Sequence, residues 1–106
     1  MMTITDDRPI QTVITTFEVT PGTCEDVLDA LHEAYDGIIR RRDGFIAGAL
    51  HANDAQTRIT AYSQWQRRED YQAMLRSPEM RERNRRITAM CRSFEPVMME
   101  VRAVFV

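Results

Sequence analysis

The sequence predicts an α+β domain in which four antiparallel strands are backed on one face by helices. The first observation is that apolar spacing switches between a period of two and a period of 3.6 in the order β-α-β-β-α-β. The second is that turn-forming pairs punctuate the switches: Pro21-Gly22, Asp43-Gly44, Asn53-Asp54 and Ser77-Pro78. The third is size and composition. A chain of 106 residues, 43% apolar and 28% charged, suits one globular domain rather than a disordered segment.

Gln11 to Val19 is rich in β-branched residues and reads as the first strand. Pro21-Gly22 stops it, and Thr23 with Asp26 three positions on suggests a capping arrangement. Val27, Leu28, Leu31, Ala34, Tyr35, Ile38 and Ile39 then recur at helical spacing. Arg40, Arg41 and Arg42 suit the negative end of that helix, and Asp43-Gly44 ends it. Phe45 to His51 is the second strand, and Asn53-Asp54 turns the chain into the third, Arg58 to Trp65.

A short helix is expected over Arg68–Leu75. Ser77 as N-cap and Pro78 at the first helical position start another. Met80, Asn84, Ile87, Cys91 and Phe94 define its inner face, and Pro96 is expected to end it. Val97 to Val106 reads as the last strand, with Val97, Met99, Val101, Ala103 and Phe105 on one side. Residues 1–10 form a flexible N-terminal segment in this reading, and 11–106 the domain.

This order is the ferredoxin-like arrangement. Helices on one face leave the other face exposed, yet Ile14, Ile46, Leu50, Met98, Val104 and Val106 fall on the phase opposite to Phe17, Phe45 and Phe105. A second copy packing sheet to sheet across Ile14, Ile46 and Leu50 is the simplest cover, giving a homodimeric barrel.

Composition narrows the function classes. A net charge of -2 gives no case for nucleic acid or an anionic membrane as partner. All 14 basic residues are Arg, and Arg81, Arg83, Arg85 and Arg86 are interleaved with Glu79 and Glu82 as on a solvated helix face. Two cysteines and two histidines lie far apart, without metal-ligand or disulfide-scaffold spacing. No glycine-rich loop opens a helix, so a tightly held nucleotide is not expected. No apolar run approaches the ~20 residues of a membrane span. The polar N-terminus lacks the features of a secretory signal, so a cytoplasmic location is expected.

The most informative stretch is Ile59-Thr60-Ala61-Tyr62-Ser63-Gln64-Trp65, running directly into a helix that carries Tyr71. Alternation puts Ile59, Ala61, Ser63 and Trp65 on one face and Thr60, Tyr62 and Gln64 on the other. Small residues beside the chain's single Trp leave either a gap filled by a helix or room for a flat ligand.

Taken together, T-V-I-T-T-F-E-V with Pro21-Gly22, Asp43-Gly44-Phe45, Tyr62-Ser63-Gln64-Trp65 and Phe94-Glu95-Pro96-Val97…Glu100-Val101 resemble the antibiotic biosynthesis monooxygenase family. The resemblance covers residues 11 to 106 and implies a small dimeric ferredoxin-like barrel. It implies an oxygenase that tailors a polycyclic aromatic polyketide with molecular oxygen and no tightly bound cofactor. In such relatives a pocket lies between sheet and helices, and the matching residues here are Trp65, Tyr71, His51 and Arg81. His51 is the implied proton acceptor.

The substrate-binding candidates are Ala61, Tyr62, Ser63, Tyr35 and Asn84, with Ala47 and Ala49 adding to the pocket floor. Ala61 stands where polyketide-acting members often carry Asn. That departure brings reduced flavin, FMNH2 or FADH2, into view as an alternative co-substrate. The haem-degrading branch fits worse, because the first strand reads Thr15-Thr16 and has no Asn.

The same residues have plainer readings. Trp65 and Tyr71 serve equally as core, His51 as a strand-end surface residue, and His32 as an exposed helix residue. The alternative to an enzyme is a non-catalytic dimeric barrel that binds a hydrophobic aromatic ligand.

Overall fold

The computed structural model describes residues 2–106. Four strands form one antiparallel sheet: β1 (Gln11–Glu18), β2 (Phe45–Ala52), β3 (Arg58–Trp65) and β4 (Ser93–Met99), in the spatial order β2-β3-β1-β4. Three helices cover one face: α1 (Cys24–Gly37), α2 (Arg68–Arg76) and α3 (Pro78–Ala89). This is the ferredoxin-like order that the sequence predicts, with the second helical connection divided in two.

Each helix is held by its apolar stripe. Cys24, Val27, Leu31 and Ala34 of α1 are buried at spacings of three and four. Met80 and Ile87 do the same for α3, and Tyr71 and Met74 for α2. The break between α2 and α3 comes from Ser77 and Pro78. Ser77 is extended, its hydroxyl accepts from the Met80 N–H at 3.4 Å, and Pro78 occupies the first turn, where its missing N–H costs nothing.

Several local expectations change. Thr23 makes no side-chain cap; its hydroxyl turns back to the Thr20 N–H at 3.2 Å instead. α1 ends at Gly37, and a 3-10 turn over Ile39–Arg41 follows, so Arg40, Arg41 and Arg42 lie beyond the helix end. α3 ends at Ala89 rather than at Pro96. The last strand is Ser93–Met99, and residues 100–106 have no regular structure. Pro96 sits inside β4 opposite Thr15, which is tolerable because β4 is an edge strand and no second neighbour needs its N–H.

Two turns set the frame. At Asn53 the side-chain oxygen accepts from the N–H groups of Thr57 and Arg58, both at 2.9 Å, which fixes the β2–β3 connection. Gly44 has φ +84°, and its carbonyl accepts from the Gln66 N–H at 2.7 Å. A Cβ there would lie 2.1 Å from Asp70 Oδ2, so glycine is required both for backbone conformation and for space.

One irregularity decides the orientation of β2. Phe45 pairs with Trp65, but Ala47 pairs with Gln64, leaving Ile46 as an extra residue. Every side chain beyond Ile46 is thereby moved to the face opposite to the one simple alternation assigns. Gly48, Leu50 and Ala52 point to the helix side with their partners Ser63, Ala61 and Ile59. Ala47, Ala49 and His51 point to the open face with Gln64, Tyr62 and Thr60.

Candidate functional site

The core between sheet and helices is not filled throughout. A cavity of about 290 Å³ remains, floored by Thr15, Ala61 and Ser63 and walled by Leu31, Tyr35, Tyr71, Met74, Met80 and Asn84. Phe17, Phe94 and Pro96 close its β4 side, where Phe94 and Pro96 are exposed and mark its opening. The volume stands at the lower end of small-molecule sites. The register explains the space: Thr15, Ala61 and Ser63 are small and adjacent on the helix face of β1 and β3.

Trp65 backs this cavity rather than lining it. It is fully buried, and its indole Nε1–H donates to Ser63 Oγ at 2.9 Å. An edge-to-face series fixes the ring: Tyr35 to Phe45 at 6.5 Å, Phe45 to Trp65 at 5.3 Å and Trp65 to Tyr71 at 5.7 Å between centroids. Such pairs contribute about 0.5–1.5 kcal/mol each beyond simple burial. Two of these rings, Tyr35 and Tyr71, also form cavity wall.

The two phenols are tuned as neutral donors. Burial pushes Tyr35 up to about 12; the Ser63 hydroxyl offsets part of the rise and Tyr71 adds to it. Burial also raises Tyr71, tempered by the Thr15 hydroxyl. Desolvation penalises the phenolate, so both stay protonated and able to donate at physiological pH. No His, Asp, Glu, Lys or Arg lines the cavity.

Of the residues singled out from the sequence, Tyr71, Tyr35, Ser63, Ala61 and Asn84 meet around this cavity, with Trp65 directly behind. His51 does not. The extra residue at Ile46 turns it, with Ala47 and Ala49, to the opposite face of the sheet from Trp65, where it is exposed. Tyr62 also lies on that open face, where its hydroxyl accepts from Gln64 Nε2 at 2.9 Å. Arg81 is exposed, one position round the helix from the inward Met80, and is not part of the cavity wall.

Sequence reasoning missed Thr15 as a wall residue. Alternation on β1 puts Thr15 on the same face as Val13 and Phe17, and only the β1–β3 register sets it opposite Ala61.

A wider recess of about 530 Å³ lies along β2 and α1, bordered by His32, Tyr35, Asp36, Arg40 and Leu50. It is more open than the helix-side cavity and runs along the edge strand. Among the described residues no cluster of three or more His, Cys, Asp or Glu could hold a metal ion. No helix among them is long and apolar enough to cross a membrane.

The fold recurs in solved structures. SnoaB of Streptomyces nogalater, described as a cofactor-independent oxygenase and solved as an Asn-to-Ala mutant, superposes with a TM-score of 0.79 at 17% identity. The match covers 90% of this chain and 95% of that one. A monooxygenase from the gene ActVA-Orf6 of Streptomyces coelicolor, in complex with nanaomycin D, gives 0.80 at 21% identity, covering 91% and 90%. A putative antibiotic biosynthesis monooxygenase from Nitrosomonas europaea gives 0.79 at 15%, covering 93% and 96%. At these identities the likeness establishes a shared fold.

A search of the curated proteins finds no match. The sequence pattern of the antibiotic biosynthesis monooxygenase family matches residues 10–86, most of the domain and all of β1 through α2. The chain belongs to the antibiotic biosynthesis monooxygenase family.

Proposed function

We propose that this protein is a monooxygenase that oxidises a small polycyclic hydroxy-aromatic compound of the polyketide type with molecular oxygen. The observation that carries the reading is the cavity itself: apolar, aromatic-walled, about 290 Å³, with the hydroxyls of Tyr35 and Tyr71 at its edge. Such a space suits a flat ring system whose oxygen substituents need donors. The family supports the reaction class, and one structural relative holds nanaomycin D.

The chemistry follows from the lining. An anthrone-type substrate loses a proton from its ring methylene carbon, and the electron pair left behind is delocalised through the ring system onto the carbonyl oxygen across the central ring. Neutral phenol donors fixed in a largely apolar cavity stabilise that developing oxyanion more strongly than mobile water does. The anion then gives one electron to dioxygen, and the two radicals join at the carbon. The resulting peroxide anion takes a proton back from water. Loss of water from the hydroperoxide, with the remaining ring C–H, leaves a new carbonyl, so one oxygen atom enters the product and the other leaves as water. The cavity offers no side-chain base, so the proton passes to water at the opening beside Phe94 and Pro96.

That missing base also favours a second reading, a barrel that holds an aromatic ligand without turning it over. Oxygen uptake with 1,8-dihydroxyanthrone, with and without free reduced FMN, separates the two. Uptake above the uncatalysed rate without flavin supports the proposal as written. Uptake only with reduced flavin moves the electron source to the flavin, and ligand binding without uptake in either condition establishes the second reading.

The open sheet face supports a homodimer. Ile14, Tyr62 and Val97 share one register row across β1, β3 and β4, and Met99 lies exposed on the same face. Met98, which simple alternation places there, pairs instead with Val13 on the helix side. Leu50 is absent from this row because it faces the helices, and Ile46 is the unpaired extra residue. An apolar sheet face of this kind is covered most simply by its own copy about a two-fold axis. Light scattering should give twice 12.3 kDa, and Val97→Arg should shift the mass toward one chain.

A further inference from the structure

We infer that Asn84 is a direct hydrogen-bond partner for the oxygen substituent of the compound held in the cavity, acting from α3 beside the Tyr35 and Tyr71 phenols. The inference rests on the reading of this cavity as an aromatic-compound site.

Asn84 lies on the inner stripe of α3, four residues after Met80 and three before Ile87, both of which are buried. It lines the cavity together with Ala61, and among the described residues it is the only amide side chain in the wall. Ser63 Oγ already accepts from the Trp65 indole, and the Tyr35 and Tyr71 phenols stand beside the Ser63 and Thr15 hydroxyls. Asn84 is itself only partly buried, and among the described residues its amide has no side-chain hydrogen-bond partner, which leaves it free to meet a ligand.

Asn is also a poor choice for the middle of a helix, where it loses stability relative to Leu or Met. On this face a Leu would add to the core. A polar side chain placed against local preference, unpartnered and facing an apolar cavity, has the form of a ligand contact. Its NH2 can donate to a phenolate or carbonyl oxygen, and its C=O can accept from a ring hydroxyl.

The test uses the stable product analogue 1,8-dihydroxyanthraquinone, with anthracene as the probe lacking oxygens, followed by quenching of Trp65 fluorescence in the full chain. The wild type should bind the dihydroxy probe, and Asn84→Leu should bind it on the order of 10-fold more weakly, the loss expected for one net hydrogen bond. Anthracene affinity should be equal or higher in the variant. Leu favours helix, and unchanged circular dichroism checks that folding is intact. Placing Ala61→Asn in the Asn84→Leu background should restore affinity for the dihydroxy probe, which a merely structural role would not do.

Equal affinity of wild type and Asn84→Leu for the dihydroxy probe overturns the inference while leaving the cavity reading in place. Failure of the wild type to bind either probe overturns the cavity reading and the inference with it.

Discussion

The indole N–H of Trp65 donates to the hydroxyl of Ser63, two residues earlier on the same strand, at 2.9 Å with both side chains buried. The largest and nearly the smallest side chains on that face thus act as one unit. Ser63 satisfies the single polar atom of Trp65 and simultaneously floors the cavity. Ser63→Ala should cost about 1–3 kcal/mol in urea unfolding, because it leaves a buried donor without an acceptor. Trp65→Phe in the same chain removes that donor, so the Ser63→Ala effect should shrink in the double mutant. Strict additivity would show that the bond contributes nothing.

His51 faces away from the cavity, so His51→Ala should leave turnover and probe affinity within about twofold of wild type, whereas removing a true general base costs on the order of 10²-fold or more. A loss of that size in oxygen uptake would place His51 in the chemistry, acting from the open face across a subunit contact.

Gly44 and Gly37 should respond in opposite directions to alanine. At Gly44 the φ of +84° and the Asp70 carboxylate against the absent Cβ predict a loss of more than about 1 kcal/mol. At Gly37, the last residue of α1, nothing lies within 4 Å of the added methyl, and Gly37→Ala should be neutral or gain up to about 1 kcal/mol. Thermal unfolding of the two variants checks both signs.

Stability should fall in alkaline solution before the fold is otherwise stressed. Tyr35 has a folded pKa of about 12, above its ordinary value of 10, so between those limits the folded state holds a proton that the unfolded chain releases. The stabilisation is complete below pH about 10 and is lost as pH rises toward about 12. Tyr71 acts in the same direction. Denaturation midpoints measured from pH 8 to 12 should therefore decline less in Tyr35→Phe than in wild type. Identical slopes would show that the Tyr35 phenol is solvated in the folded protein.

The amino-acid sequence by itself determined the order of elements and the helix-facing residues of β3. Those signals are local: a change of period, a Ser-Pro start at residue 77, and strict alternation through Ile59, Ala61, Ser63 and Trp65. Each depends on neighbours a few residues apart, so each is visible before the chain is folded. The same alternation placed Ala61 and Ser63 beneath the helices, and the inner stripe of α3 placed Asn84 opposite them.

Tertiary structure alone decided the rest. The extra residue at Ile46 exists only in the pairing of β2 with β3, and the segment Phe45-Ile46-Ala47-Gly48-Ala49-Leu50 is apolar or small in either phase. One inserted residue reverses every side chain after it, which is why His51 and Leu50 exchanged faces. The length of β4 was equally hidden. Pro96 ends a helix by its local chemistry, yet the edge position next to β1 makes it compatible with a strand. Local propensity gives the candidates for each element, and the pairing partner decides which face each residue shows.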